Sequence, residues 1–134
     1  MSPPRLPLLV RARLADLPGT DEHRQAIRQA VDRIADWVPK GIHFGWEKSF
    51  ENKGKFPAAM DKDAARLLVA GLLENALLSI YPNRREDGSV SGQLRIVAEA
   101  GRIVGTRGQQ RVRIVIVRDA TGFLVENAFP VHQR

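Results

Sequence analysis

The chain has 134 residues, of which 43% are hydrophobic and 27% charged, and it carries a formal net charge of +6 with a pI near 10.5. This length implies one domain, and the composition excludes a disordered tail, a collagen-like rod and a coiled coil. No apolar run approaches the ~18 residues that a membrane span requires. Cysteine is absent, which removes disulfides, thiolate nucleophiles and zinc–thiolate sites. The histidines, His23, His43 and His132, lack metal-ligand spacing, so neither a metal nor another cofactor is expected.

Charge is unevenly spread. Residues 1–40 carry an excess of +2, residues 41–90 are balanced, and residues 91–134 carry +4 with arginine as their only cation. Arginine-rich strands suit phosphate, because guanidinium forks match its oxygens. A basic surface without a ligand would show the same count.

Residues 1–19 hold four of the eight prolines and read as an arm or linker without the apolar core of a Sec signal. Alternation through Leu8, Val10, Ala12 and Leu14 permits a short edge strand. Thr20 then caps a helix over 20–38, with Asp21 and Glu22 in its first turn and Ala26, Ile27, Ala30, Val31, Ile34, Ala35 and Val38 on one face. Pro39 and Gly41 stop it.

Residues 41–57 fit neither helical nor strand period, yet contain four of the chain's eight aromatics. A connector would shed such groups, so this segment is a candidate for function. Asp61 caps a second helix over 61–79, whose apolar residues cover much of its circumference and predict the buried helix of the fold. Residues 81–92 read as a polar loop. Period two then predicts strands over 93–100, 111–118 and 123–129, with Arg102-Ile103-Val104 as a further short pairing segment. The expected fold is α+β: residues 20–134 form two N-terminal helices packed on a three- to four-stranded antiparallel sheet.

The chain has no phosphate-binding P-loop, dinucleotide glycine pattern, nucleophile elbow or metal signature. It offers instead His43, Glu47, Lys48, Ser49, Lys53 and Lys55 in the 41–57 segment. The later strands and turns offer Arg107, Arg111, Arg113, Thr121 and Asn127, with His132 near the end. These residue types suit metal-free RNA cleavage, which needs proton transfer at the 2′-OH and the 5′-oxygen and cations for the charge building on phosphorus. An imidazole transfers protons near neutral pH. Lys48 and Arg113 would neutralise the phosphate, Asn127 would position it, and Arg107 and Arg111 would guide substrate. Trp46 would stack on an unpaired base. Each has a structural counterpart: His43 between Ile42 and Phe44 as a packed ring, Trp46 as core, Arg111 and Arg113 as one solvated strand face, and Thr121 as turn chemistry. Asn127, in a row with Phe123, Val125 and Phe129, would need partners if buried.

The order of elements resembles the C-terminal ribonuclease toxin domains of bacterial polymorphic and contact-dependent inhibition systems, those with the barnase–EndoU–colicin–RelE fold. Several of those domains carry Phe-Glu-Lys-His followed by Gly-Glu-Phe-Pro; here Trp46-Glu47-Lys48-Ser49 and Gly54-Lys55-Phe56-Pro57 stand in that order. Several end in Thr-Ala-Tyr-Pro-Val, and here the string is Asn127-Ala128-Phe129-Pro130-Val131. Ser49 and Asn127 replace the family's histidine and threonine, at two positions that carry its active-site groups. His43 is the available imidazole.

The resemblance implies a metal-independent endoribonuclease acting on RNA, tRNA among the candidates, with an acidic immunity protein as partner. It further implies delivery by a specialised system or a larger carrier into a target cytoplasm. The alternative from the residues alone is a non-enzymatic RNA- or DNA-binding or protein-docking module.

Overall fold

A computed structural model describes residues 9–40, 43–44, 54–84 and 90–132. The chain runs β1 (Val10–Ala12), α1 (Glu22–Asp32), α2 (Lys62–Asn75), β2 (Leu78–Arg84), β3 (Val90–Glu99), β4 (Arg111–Asp119) and β5 (Gly122–Val131). The strands form one antiparallel sheet in the order β1-β2-β3-β4-β5. The fold is α+β as expected, with five strands rather than three or four and with one strand ahead of the helices.

α1 starts where Asp21, rather than Thr20, accepts hydrogen bonds from the amides of His23 (2.8 Å) and Arg24 (3.2 Å). It also ends sooner than its apolar spacing predicts. After Asp32 the chain tightens into a 3-10 turn over Ile34–Asp36, closed by Trp37 N–H on the Ile34 carbonyl at 3.2 Å. That turn sends the Trp37 ring into the core at 1% exposure and leaves Val38, expected on the buried face, 70% exposed.

Asp61 caps α2 as the sequence indicates, accepting from Ala64 N–H at 2.7 Å. α2 is amphipathic rather than buried all round: Ala65, Val69, Leu72 and Leu73 face the core and Leu67 faces outward. It stops at Asn75, because Ala76 turns extended and Leu78–Arg84 pairs with β1 and β3. The stretch expected as the end of a helix and a polar loop is therefore a strand. Residues 102–104 do not pair as a strand; Val104 is buried and Ile103 exposed.

The expected arm is likewise partly inside the domain. Val10–Ala12 forms the β1 edge strand, and Leu14 and Leu17 enter the core at 3% and 7% exposure. Both helices pack on one sheet face, where Ile27 and Ala30 of α1 and Val69 and Leu73 of α2 meet Leu78, Ile80, Ile96, Val112, Ile114 and Ile116. Each fully buried isoleucine in that layer contributes about 1.5–3 kcal/mol. α1 is pinned to the β4–β5 turn by Arg33, which donates to Asp119 at 2.8 and 2.9 Å, and by Gln29, whose side-chain oxygen accepts from Phe123 N–H at 3.0 Å.

Candidate nucleic-acid interface

With the helices on one face, strand alternation sends the remaining side chains to the other. Register aligns them in cross-strand rows. Arg11, Ser79, Val97, Arg113 and Phe129 form one row, and Tyr81, Arg95, Val115 and Asn127 form the next. Glu99, Arg111 and Val131 make a third.

A bulge in β5 creates the site. Val115 pairs with Asn127 and Ile116 with Val125, so Glu126 is an extra residue. Phe123 and Val125 lie on the helix-facing side, whereas Asn127 and Phe129, past the bulge, lie on the arginine side. The expected single row of Phe123, Val125, Asn127 and Phe129 is thus split between two faces.

Arg95 and Arg113 are the electrostatic centre of this second face. They sit diagonally on adjacent strands, where two long side chains can reach a common point. The Arg95 guanidinium lies 4.7 Å from the centroid of the Tyr81 ring, and that of Arg113 lies 5.8 Å from the Phe129 centroid. Both Nε atoms are buried without a hydrogen-bond partner, and among the described residues neither guanidinium has a carboxylate. Burial, and then the like charge of Arg95, lower the pKa of Arg113 from its ordinary value. Two cations are held together, partly desolvated, with no anion between them among the described residues.

His43 joins this face through Phe129, on which its ring stacks at 4.7 Å and 17°. It is only 5% exposed, with Nδ1 3.3 Å from the Gly54 carbonyl oxygen and its own carbonyl accepting from Phe56 N–H at 2.7 Å. The 54–56 segment is pressed on the end of β5: a Cβ at Gly54 would overlap the Pro130 carbonyl. Phe44 and Phe56 bridge in parallel, with ring centroids 5.5 Å apart, and anchor the segment in the core.

The remaining candidates separate. Arg111 is already neutralised, donating to Glu99 at 2.8 Å and to the His132 carbonyl at 2.8 Å, so it clips β3 to the chain's last turn instead of guiding substrate. Arg107 stands exposed in the β3–β4 loop, away from the rows, its amide held by Gln109 Oε1 at 2.9 Å. Asn127 lies in the Arg95 row, where its side-chain oxygen accepts from Ala128 N–H at 3.0 Å. Thr121 serves the turn, donating twice to Asp119. Lys55 is 8% exposed, and its carbonyl accepts from Thr106 N–H at 2.9 Å. Trp46 and Lys48, with Glu47, Ser49 and Lys53, lie outside the described residues.

Sequence reasoning missed Arg95 and Tyr81. Arg95 was legible, since Leu94, Ile96 and Ala98 on the core face leave it on the opposite one. Tyr81 was hidden by Pro82, which argues for a loop.

A hollow of about 540 Å³ between α1 and the β4–β5 turn is lined by Glu22, Gln25, Gln29, Arg118 and Phe123. Two groups at its wall, Gln29 and Asp119, are engaged in holding the turn, and Arg118 lies over the Phe123 ring at 5.6 Å. Among the described residues no cluster of histidine, aspartate and glutamate could hold a metal, and no helix is long and apolar enough to cross a membrane. Compared with family models, curated proteins and solved structures, the chain shows no significant match.

Proposed function

We propose that the protein is a metal-independent endoribonuclease of the toxin type, with RNA lying on the second sheet face. The observation that carries this reading is the Arg95–Arg113 pair, two partly desolvated guanidiniums without a counter-anion among the described residues. Such a pair favours an anion with several oxygens, and a phosphodiester crossing to its transition state gains negative charge where the forks converge. In the reaction the 2′-oxygen bonds to phosphorus as the P–O5′ bond breaks. The 2′-OH proton passes to a base and another proton reaches the 5′-oxygen, leaving a 2′,3′-cyclic phosphate and a 5′-hydroxyl. His43, one ring away from Arg113 across Phe129, is the imidazole nearest this point among the described residues, and Tyr81 supplies a phenol beside Arg95. Asn127 positions the phosphate, with Lys48 as a further cation. An acidic protein that fills the same face is the matching partner, and delivery into a target cell by a larger carrier completes this reading.

A second reading, an RNA-binding module without catalysis, is favoured by the 5% exposure of His43, which suits a packed ring better than a proton shuttle. Total RNA incubated with the protein in EDTA tests the two. The ribonuclease reading expects cleavage that falls at least a hundredfold in both Arg113→Met and His43→Ala while each variant keeps its circular dichroism. Intact RNA at high protein concentration, with binding retained, leaves the module.

A further inference from the structure

Arg11, in the expected arm, was assigned no role by sequence reasoning, yet β1 sets it in the same row as Arg113. Val10 and Ala12 pack toward the core, so Arg11 points to the second face and is exposed. Its register runs through Ser79 and Val97 to Arg113 and Phe129. Ser79 and Val97 between them are uncharged and buried, at 2% and 0% exposure, so the row presents charge at two stations only. Strands lie about 4.8 Å apart, which puts the backbones of Arg11 and Arg113 roughly 14 Å from each other. Among the described residues Arg11 has no ion-pair partner. A nucleic-acid strand carries one charge per ~3.4 Å when stacked, so about four stacked steps, or fewer extended ones, span the gap.

Resting on the phosphodiester reading of this face, we infer that it binds an oligonucleotide across the strands. One phosphate sits at Arg95 and Arg113, and a second, two or more nucleotides away, sits at Arg11. Arg11 is then the residue that makes the site prefer chains over dinucleotides.

Fluorescein-labelled 2′-O-methyl RNAs of two, three, five and eight nucleotides, which lack the attacking hydroxyl, serve as probes in anisotropy titrations between 50 and 200 mM salt. For the full chain, affinity should climb between two and five nucleotides. In Arg11→Ala that gain should vanish: binding of the pentamer falls about fivefold, the dinucleotide is unaffected, and the salt slope shallows by about 0.7. Arg11→Lys, which keeps the charge and the strand, should restore both. An unchanged length dependence and salt slope in Arg11→Ala, beside clear weakening at every length in Arg113→Met, overturns the Arg11 subsite alone. If Arg113→Met also binds every length like the unmodified chain, the phosphodiester reading falls, and the subsite with it.

Discussion

At the end of α1, Arg33 reaches Asp119 with two nitrogens and Asp36 with a third, at 2.8 to 2.9 Å, and those bonds raise its pKa. On the far side of the sheet, Arg113 has no carboxylate among the described residues, and burial beside Arg95 lowers its pKa. The same side chain is spent on architecture in one region and kept uncommitted in the other. A guanidinium whose donors are filled by its own chain has nothing left for a ligand, whereas one that is desolvated and unfilled gains most when an anion arrives. Arg111, satisfied by Glu99 and the His132 carbonyl, belongs with Arg33 although it lies on the same face as Arg113. Location on the basic face therefore does not define the site; unsatisfied charge does.

The most drastic way to break the contrast is to change the residue count of β5 beyond the bulge. Inserting one residue between Asn127 and Ala128 shifts Ala128, Phe129 and Pro130 by one position against β4 and drives Phe129 toward the helix side, where Ala128 now packs. The expected outcome is a loss of several kcal/mol or failure to fold, read as the urea midpoint. Glu126→Ala keeps the residue count and should stay within about 0.5 kcal/mol of the parent. Equal effects of the two changes would show that residue count in β5 is not what aims these side chains.

Next in size is the asymmetry between the two arginines. Arg113→Met should cost RNA cleavage or binding about a hundredfold, the scale of one lost transition-state donor. It should leave thermal stability equal or higher, since a like-charged, unpaired guanidinium is replaced by an apolar stem. Arg33→Met should do the reverse, lowering the melting temperature with RNA binding intact. Paired thermal-shift and RNA assays on both variants check this, and a destabilised Arg113→Met with normal RNA handling would refute the division of labour.

The sequence made one of these regions easier to read than the other. The capped start of α2, the interior strand β4 and the β4–β5 turn were visible, because Asp61, the run Arg111–Arg118 and Asp119-Ala-Thr-Gly122 each carry a local signal. β2 was not visible, since Leu77, Leu78 and Ile80 also continue the helical spacing of α2, and only pairing with β1 and β3 decides for strand. The bulge left no trace either: Glu126 is an ordinary strand residue until the register against Val115 and Ile116 is known. Arg113 and Asn127 were singled out on their own, but what unites them, a shared face with Arg95 and Tyr81, is a property of register.

A smaller effect tests the Arg33 region at its turn. Gly122 adopts φ of 125°, and a Cβ there would meet Gln29 Oε1, the acceptor for Phe123 N–H. Gly122→Ala should cost about 1–3 kcal/mol by combining backbone strain with a displaced acceptor. Gly101, also at positive φ but with open space around its missing Cβ, supplies the control. Gly101→Ala carries strain alone and should cost less in the same denaturation experiment.

The smallest effect is titration of the clip. Asp119 accepts from Arg33 and from the amide and hydroxyl of Thr121, and the Arg33 hydrogen bond, first among these, holds its carboxyl far below the ordinary carboxylate range. Because the folded pKa is depressed, its stabilising contribution is fully present above the unfolded value of about 3.9 and is lost as pH falls below it. The urea midpoint of the parent should therefore drop between pH 5 and 2 more steeply than that of Asp119→Asn, which cannot titrate there. Arg113 faces no carboxylate among the described residues, so Arg113→Met should follow the parent curve with its slope unaltered. A flattened slope in Arg113→Met would mean that an acid pairs with it after all, and the contrast between the two arginines would fail at its root.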